Sequence, residues 1–206
     1  MSTPDVFQTL AASSAAEPPK TKGSRFLGEA VPVGPEAAWR ERLAEVRRRE
    51  HAATHHVWAV RLGAEGQGRS SDDGEPSGSA GVPVLREIEG RGLTDVLVVV
   101  TRYYGGTKLG VGGLMRAYAE AAGAALDAGR VREVVVRVPV RLRFAFADTS
   151  PAMRLLDVFD AVVAGQTHTA SGTELNLQVR RSEADALRAA FVEATAGRGE
   201  VVEAGP

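Results

Sequence analysis

The sequence predicts an α+β protein of two units, and three observations carry that reading. A run apolar on both faces, VLVVV at residues 96–100, has the character of a central strand covered on both sides. Around it, strand-like runs alternate with segments whose apolar residues recur at helical spacing. From residue 134 the pattern changes to strand, helix, strand, strand, helix, strand, the β-α-β-β-α-β order of a ferredoxin-like split fold. At 206 residues the chain has room for two small domains, each able to bury a core without disulfides.

Taken in order, residues 1–22 are rich in Ala, Ser, Thr and Pro, with only Val6, Phe7 and Leu10 as anchors, and read as a loosely ordered arm. The first domain is expected over 23–134. RFLGEAVPV at 25–33 is strand-like, and Pro35 opens a helix carrying Trp39, Leu43 and Val46 on one stripe. HHVWAVRL at 55–62 alternates so that Trp58, Val60 and Leu62 share a face, whereas residues 63–81 have no apolar period and read as one long functional loop. A short helix around 84–88 leads to the strand at 96–100. RYYGGTKLGVGGLMR at 102–116 then joins that strand to a helix marked by Leu114, Ala117, Ala121 and Ala125.

The second domain is expected over 137–206. Its strands fall at 134–146, with Leu142, Phe144 and Phe146 alternating with Arg141, Arg143 and Ala145, then at 161–169, 173–180 and near 200–202. One helix carries Ala152, Leu155, Leu156 and Phe159, and another Ala184, Leu187, Phe191 and Ala194. Ser171-Gly172 reads as the turn of the central hairpin.

Composition narrows the function. No cysteine is present, which excludes disulfides, thiolate zinc sites and a cysteine nucleophile and suits a cytoplasmic location. Lys plus Arg number 25 against 26 Asp plus Glu, so nucleic-acid contact must come from a local patch. No run approaches the roughly 18–20 apolar residues needed to span a bilayer, and the first residues lack a signal-peptide layout, so no membrane partner is expected.

The densest chemistry lies in the glycine run. Gly105, Gly106, Gly110, Gly112 and Gly113 are interleaved with Arg102, Lys108 and Arg116 between a strand and a helix. That architecture cradles anions, because the first helical turn offers unpaired N–H groups and glycine permits close approach. Neither the phosphate-loop pattern nor the dinucleotide fingerprint fits, and tight packing without a ligand is the alternative. Asp72, Asp73 and Glu75 crowd three carboxylates together and form either a solvated polar loop or a cluster facing cations; the calcium-loop pattern is absent. His51 and His55 stand four apart, as zinc ligands on a helix would, but the strand-like run from His55 breaks that helical spacing and no H-E-x-x-H pattern occurs, so His51, His55 and His56 read as structural or hydrogen-bonding residues and no metal is expected. Tyr103 and Tyr104 either stack on bases or finish the core.

Three blocks taken together are more specific. THHVWA at 54–59, SSDDGEPSGSAG at 70–81 and RYYGGTKLGVGGLMRAYAEAA at 102–122 resemble the signature blocks of the IMPACT family in its bacterial, YigZ-type branch. The resemblance runs from about Phe7 to the end. It implies a first domain like the second domain of a small-subunit ribosomal protein and domain IV of elongation factor G, and a second domain like that factor's domain V. It also implies a shared cleft lined by His55, Asp72, Asp73, Glu75, Arg102, Lys108 and Arg116, with the carboxylates paired to Arg102, Lys108 or Arg116 across it. Where the family often carries a cysteine beside the tryptophan this chain has Val57, which argues against an essential thiol. The expected function is binding in association with translation, through RNA, the ribosome or a translation-factor protein, with no cofactor. The alternative is a small enzyme performing acid–base chemistry on a phosphorylated or peptide-like substrate.

Overall fold

The computed structural model describes residues 5–34 and 36–202, and the chain divides into two units between Val134 and Val135. In the first unit the elements are β1 (Val6–Leu10), β2 (Ser14–Ala16), β3 (Arg25–Pro32), α1 (Glu36–Arg49), β4 (His55–Leu62), β5 (Gln67–Ser71), α2 (Gly81–Gly90), β6 (Val96–Tyr103) and α3 (Val111–Asp127). Five strands form a sheet in the order β2-β3-β6-β4-β5, with β6 central and antiparallel to both β3 and β4. Strand alternation then divides β6 between two cores. Val96, Val98 and Val100 pack with Val84 and Ile88 of α2 and Leu114, Ala117, Ala121 and Ala125 of α3, whereas Leu97 and Val99 pack with Trp39, Leu43 and Val46 of α1. Cover on both faces explains the unbroken apolar run in an antiparallel sheet.

Two expectations in this unit are corrected. Residues 5–22 do not form a loose arm; residues 1–4 lie outside the described ones. β1 pairs with a further strand, β7 (Val131–Val135), and Ala11 donates its N–H to the carbonyl of Arg130 at 2.8 Å. Leu10 is fully buried, so one apolar anchor and backbone pairing fix a segment of unpromising composition. The long loop at 63–81 is also shorter than expected, because Gln67–Ser71 forms the edge strand β5 against β4. Its side chains are polar and largely exposed, so pairing of the backbone, invisible to apolar periodicity, makes the strand. Pro35, expected to open α1, lies outside the described residues.

The second unit contains β8 (Arg137–Ala145), α4 (Thr149–Val158), β9 (Val162–His168), β10 (Gly172–Arg180), α5 (Ala184–Ala194) and β11 (Glu200–Val202). Its antiparallel sheet has the order β11-β8-β10-β9 and buries Val140, Leu142, Phe144, Leu175, Leu177 and Val179 against Leu156, Leu187 and Phe191 of the two helices. The single strand expected over 134–146 is two, broken at Val136, whose carbonyl accepts the N–H of Arg181. Phe146 leaves the alternation as well. It begins a 3-10 turn and is 54% exposed, while Asp148 at the end of that turn is buried and ion-paired with Arg198.

Candidate functional site

The site forms where β6 runs into the glycine segment. At the end of that strand the backbone crosses residues 23 and 24, and the N–H of Gly105 donates to Oγ of buried Ser24 at 3.1 Å. A Cβ on Gly105 would lie 2.0 Å from the carbonyl carbon of Gly23, so only glycine permits the crossing. Further on, Gly110 takes φ +75° and turns the chain into α3, whose first turn contains no acidic residue and has no side-chain cap. The N–H groups of that turn therefore carry the helix's partial positive charge uncompensated by a carboxylate of the same turn.

Beneath this turn sits a buried ion pair. Arg102 donates from Nη1 to Oε1 of Glu75 at 2.5 Å, the two side chains being 6% and 5% exposed. The same oxygen accepts the hydroxyl of Tyr118 at 2.7 Å, and Arg102 Nη2 donates to Ser24 Oγ at 3.4 Å. The guanidinium also lies over the rings of Phe26 and Tyr104, at 5.5 and 5.3 Å from their centres. These contacts offset the desolvation that makes a dry ion pair costly. Burial, and then the bond to Glu75, pushes the Tyr118 phenol far above its ordinary value, so its proton stays on that hydrogen bond.

The acidic loop supplies Glu75 and is itself tied down by its neighbours. Asp72 accepts the N–H groups of Gly78, Ala80 and Gly81 at 2.9, 3.0 and 2.8 Å. Burial opposes the charge on Asp72, but those three N–H groups outweigh it and hold the carboxyl below its usual range. Asp73 accepts the N–H of His56 and the guanidinium of Arg47, each at 2.7 Å. Its carbonyl stands 2.8 Å from Nδ1 of His55, and His56 Nε2 lies 3.1 Å from the carbonyl of Glu50. Among the described residues no group of three His, Asp or Glu side chains could hold a metal ion.

Around the ion pair opens a cavity of about 550 Å³. His55, Glu75, Arg102 and Thr54 make its polar end; Pro76, Leu109, Leu114 and the half-exposed Tyr104 and Val111 make its walls, with Lys108 and Gly110 also on the lining. Five of the expected residues, His55, Glu75, Arg102, Lys108 and Gly110, thus share one cavity. The others do not line it. Asp72 and Asp73 are consumed in holding the loop, Gly105 in the backbone crossing, and Gly106 in a turn at φ +85°. Gly112, Gly113 and Arg116 belong to the first turns of α3 outside the lining. The expected pairing of all three carboxylates with Arg102, Lys108 or Arg116 is corrected: it occurs once, between Glu75 and Arg102, because backbone N–H groups and Arg47 are nearer to the two aspartates. Sequence reasoning missed Ser24 and Tyr118 as supports of the pair. Tyr118 lies four positions after Leu114 and looks like core; nothing in that spacing reveals where its hydroxyl points.

Comparisons with known proteins bear on this site. A family model described as the Impact N-terminal domain matches residues 22–126, which includes every residue of the cavity. The chain is 32% identical over 183 residues to the IMPACT family member YvyE of Bacillus subtilis, covering 87% of this chain and 83% of that protein. It is 42% identical over 133 residues to an IMPACT family member of Thermus thermophilus, covering 65% and 72%. Over 102 residues it is 44% identical to the IMPACT family member YigZ of Escherichia coli, covering 47% and 49%. A crystal structure of a hypothetical protein aligns with a TM-score of 0.71 at 25% identity, covering 98% of each chain.

Proposed function

The chain belongs to the IMPACT family, and from that premise we propose that it is a binding protein of translation that grips a phosphate-bearing partner, RNA alone or within the ribosome, at the mouth of the first unit's cavity. The observation that carries this reading is the distribution of charge. The two aspartates are spent on the loop and Glu75 is neutralised by Arg102, which leaves Lys108 on the cavity and Arg116 one turn into α3 without ion pairs among the described residues. Both cations stand beside a helix N-terminus that already attracts anions. Likeness of the two units to domains of a ribosomal protein and of elongation factor G belongs to the same proposal, as does a cytoplasmic location. A translation-factor protein is the less suitable partner, because an uncompensated cationic mouth matches a phosphate chain more directly. Acid–base catalysis is weaker, since it would fall to His55 and Glu75, and Oε1 of that glutamate is engaged by both Arg102 and Tyr118.

The test is affinity for RNA and for ribosomal subunits over a salt series. Lys108→Ala removes one cation from a phosphate, so it should weaken binding alike for all sequences and reduce the slope of log K against log salt by roughly 0.7–0.9. Absence of wild-type binding at low salt, or a Lys108→Ala protein with unchanged affinity and slope, refutes the reading.

A further inference from the structure

Two acceptors at the polar end of the cavity, His55 Nε2 and Glu75 Oε2, have no donor among the described residues. His55 Nδ1 faces the carbonyl of Asp73, and a carbonyl only accepts, so Nδ1 carries a proton, and in the tautomer with that single proton Nε2 is an acceptor. Nε2 lies 3.9 Å from Glu75 Oε1, beyond hydrogen-bond range. Glu75 Oε1 takes both Arg102 and Tyr118, whereas Oε2 has no donor among the described residues and is not one of the sealed, unpartnered polar atoms. Arg102, on the same lining, keeps N–H groups beyond the two it gives to Glu75 and Ser24, but a ligand that engages His55 Nε2 and Glu75 Oε2 must bring N–H groups of its own.

Charge decides which N–H groups fit. Glu75 is already matched by Arg102 at 2.5 Å, and Lys108 adds a second positive charge on the same cavity, so an ammonium or guanidinium ligand would meet net repulsion. A neutral edge with several donors avoids that penalty. The walls made by Tyr104, Leu109 and Leu114 suit a flat ring, and Lys108 with the first turn of α3 suits an anion. A neutral donor edge, a flat ring and an anionic tail together describe a nucleotide. Guanine is the base whose N1–H and N2–H₂ donors stand side by side, while uracil offers one N–H flanked by carbonyls that a carboxylate repels.

We propose that this cavity binds one unstacked guanine nucleotide, its Watson–Crick edge on His55 and Glu75 and its phosphate at Lys108 and the N-terminus of α3. The volume of about 550 Å³ lies within the usual range for small-molecule sites. This inference rests on the anion-binding mouth proposed above and adds a base preference to it. The nucleotide is either free or part of an RNA chain, and both present the same chemistry.

The experiment is calorimetric titration of the full chain with GMP, IMP, UMP, inorganic phosphate and arginine amide, followed by short RNAs ending in G or in U over the salt series. GMP should bind about 10-fold or more tightly than UMP or inorganic phosphate, with IMP, which lacks the exocyclic amine, between them. Glu75→Gln should erase the preference. Because that change touches the buried ion pair, Val111→Trp is the second variant: residue 111 is 56% exposed at the mouth, and a tryptophan there should exclude GMP while leaving the pair intact. Equal binding of GMP and UMP, equal binding of GMP and phosphate, displacement of GMP by arginine amide, or undiminished GMP binding by Val111→Trp each overturns the proposal. Preference for RNAs ending in G supports it and identifies RNA as the source. Binding of GMP with indifference to RNA supports the pocket and removes the RNA reading, whereas salt-dependent RNA binding without base preference removes the pocket and leaves that reading standing.

Discussion

Residue identity announced that backbone comes close to something in the glycine run, but not to what. At Gly105 the neighbour is Gly23 and Ser24, the latter 81 residues away in sequence, which local spacing cannot display. At Gly112 a Cβ would meet only Arg116 Nη1 at 3.7 Å. These two glycines of one run therefore make opposite predictions. Gly105→Ala forces apart two crossing backbones and should destabilise by about 1–3 kcal/mol or more. Gly112→Ala should leave stability within about 0.5 kcal/mol of wild type or raise it, since alanine is the better helix former. Denaturant melts of the two variants check this, and comparable losses at both positions would show that space at Gly112 is tighter than its surroundings suggest. Asp72, Asp73 and Glu75 teach the same lesson: three similar residues in one loop acquire a helix-end role, a loop tie and a buried ion pair, according to which donor each meets.

Elements held by apolar periodicity were legible, and those held by backbone pairing or by side-chain hydrogen bonds from a distant loop residue were not. The apolar stripes of α1, α3, α4 and α5 and the alternation in β4, β8 and β10 are present in the sequence, whereas β1 and β5 are strands because a neighbour accepts their backbone. The start of α2 belongs to the second class: Asp72 stands eight residues before Ala80 and gathers N–H groups at the helix entrance. Asp72→Ala leaves those donors without a partner and should destabilise by about 1–2 kcal/mol. The pH dependence has a definite sign. Since the folded carboxyl lies below its unfolded value, its stabilisation is complete above that unfolded value, near pH 4, and is lost as pH falls through the folded one. The advantage of wild type over Asp72→Asn, read from melts between about pH 7 and pH 3, should be level above about pH 5 and shrink below about pH 4. A difference that stays level down to about pH 3, or grows on acidification, would contradict the hydrogen-bonding account of that carboxylate.

At the scale of the molecule, each unit draws its core from its own residues. The first has two cores, one on each side of β6, built from residues between Leu10 and Leu126; the second has one, built between Val140 and Phe191. That change of pattern near residue 134 was visible in the sequence, but the place of β7 was not, because its partner β1 lies at the other end of the first unit and its own residues are largely exposed. Cutting the chain after Val135 keeps that pairing, and cutting before Val131 destroys it. A fragment of residues 1–135 should therefore melt cooperatively and keep the cavity, whose lining runs only from Thr54 to Leu114. A fragment of residues 1–130 should be less stable, because β1 would lose its partner strand and the burial of Leu10 beside it would weaken. Circular dichroism melts of both fragments, with RNA and GMP titrations of the longer one, measure this. If residues 1–135 fail to fold cooperatively, or fold but no longer bind a ligand that the full chain binds, then the first unit is not self-sufficient.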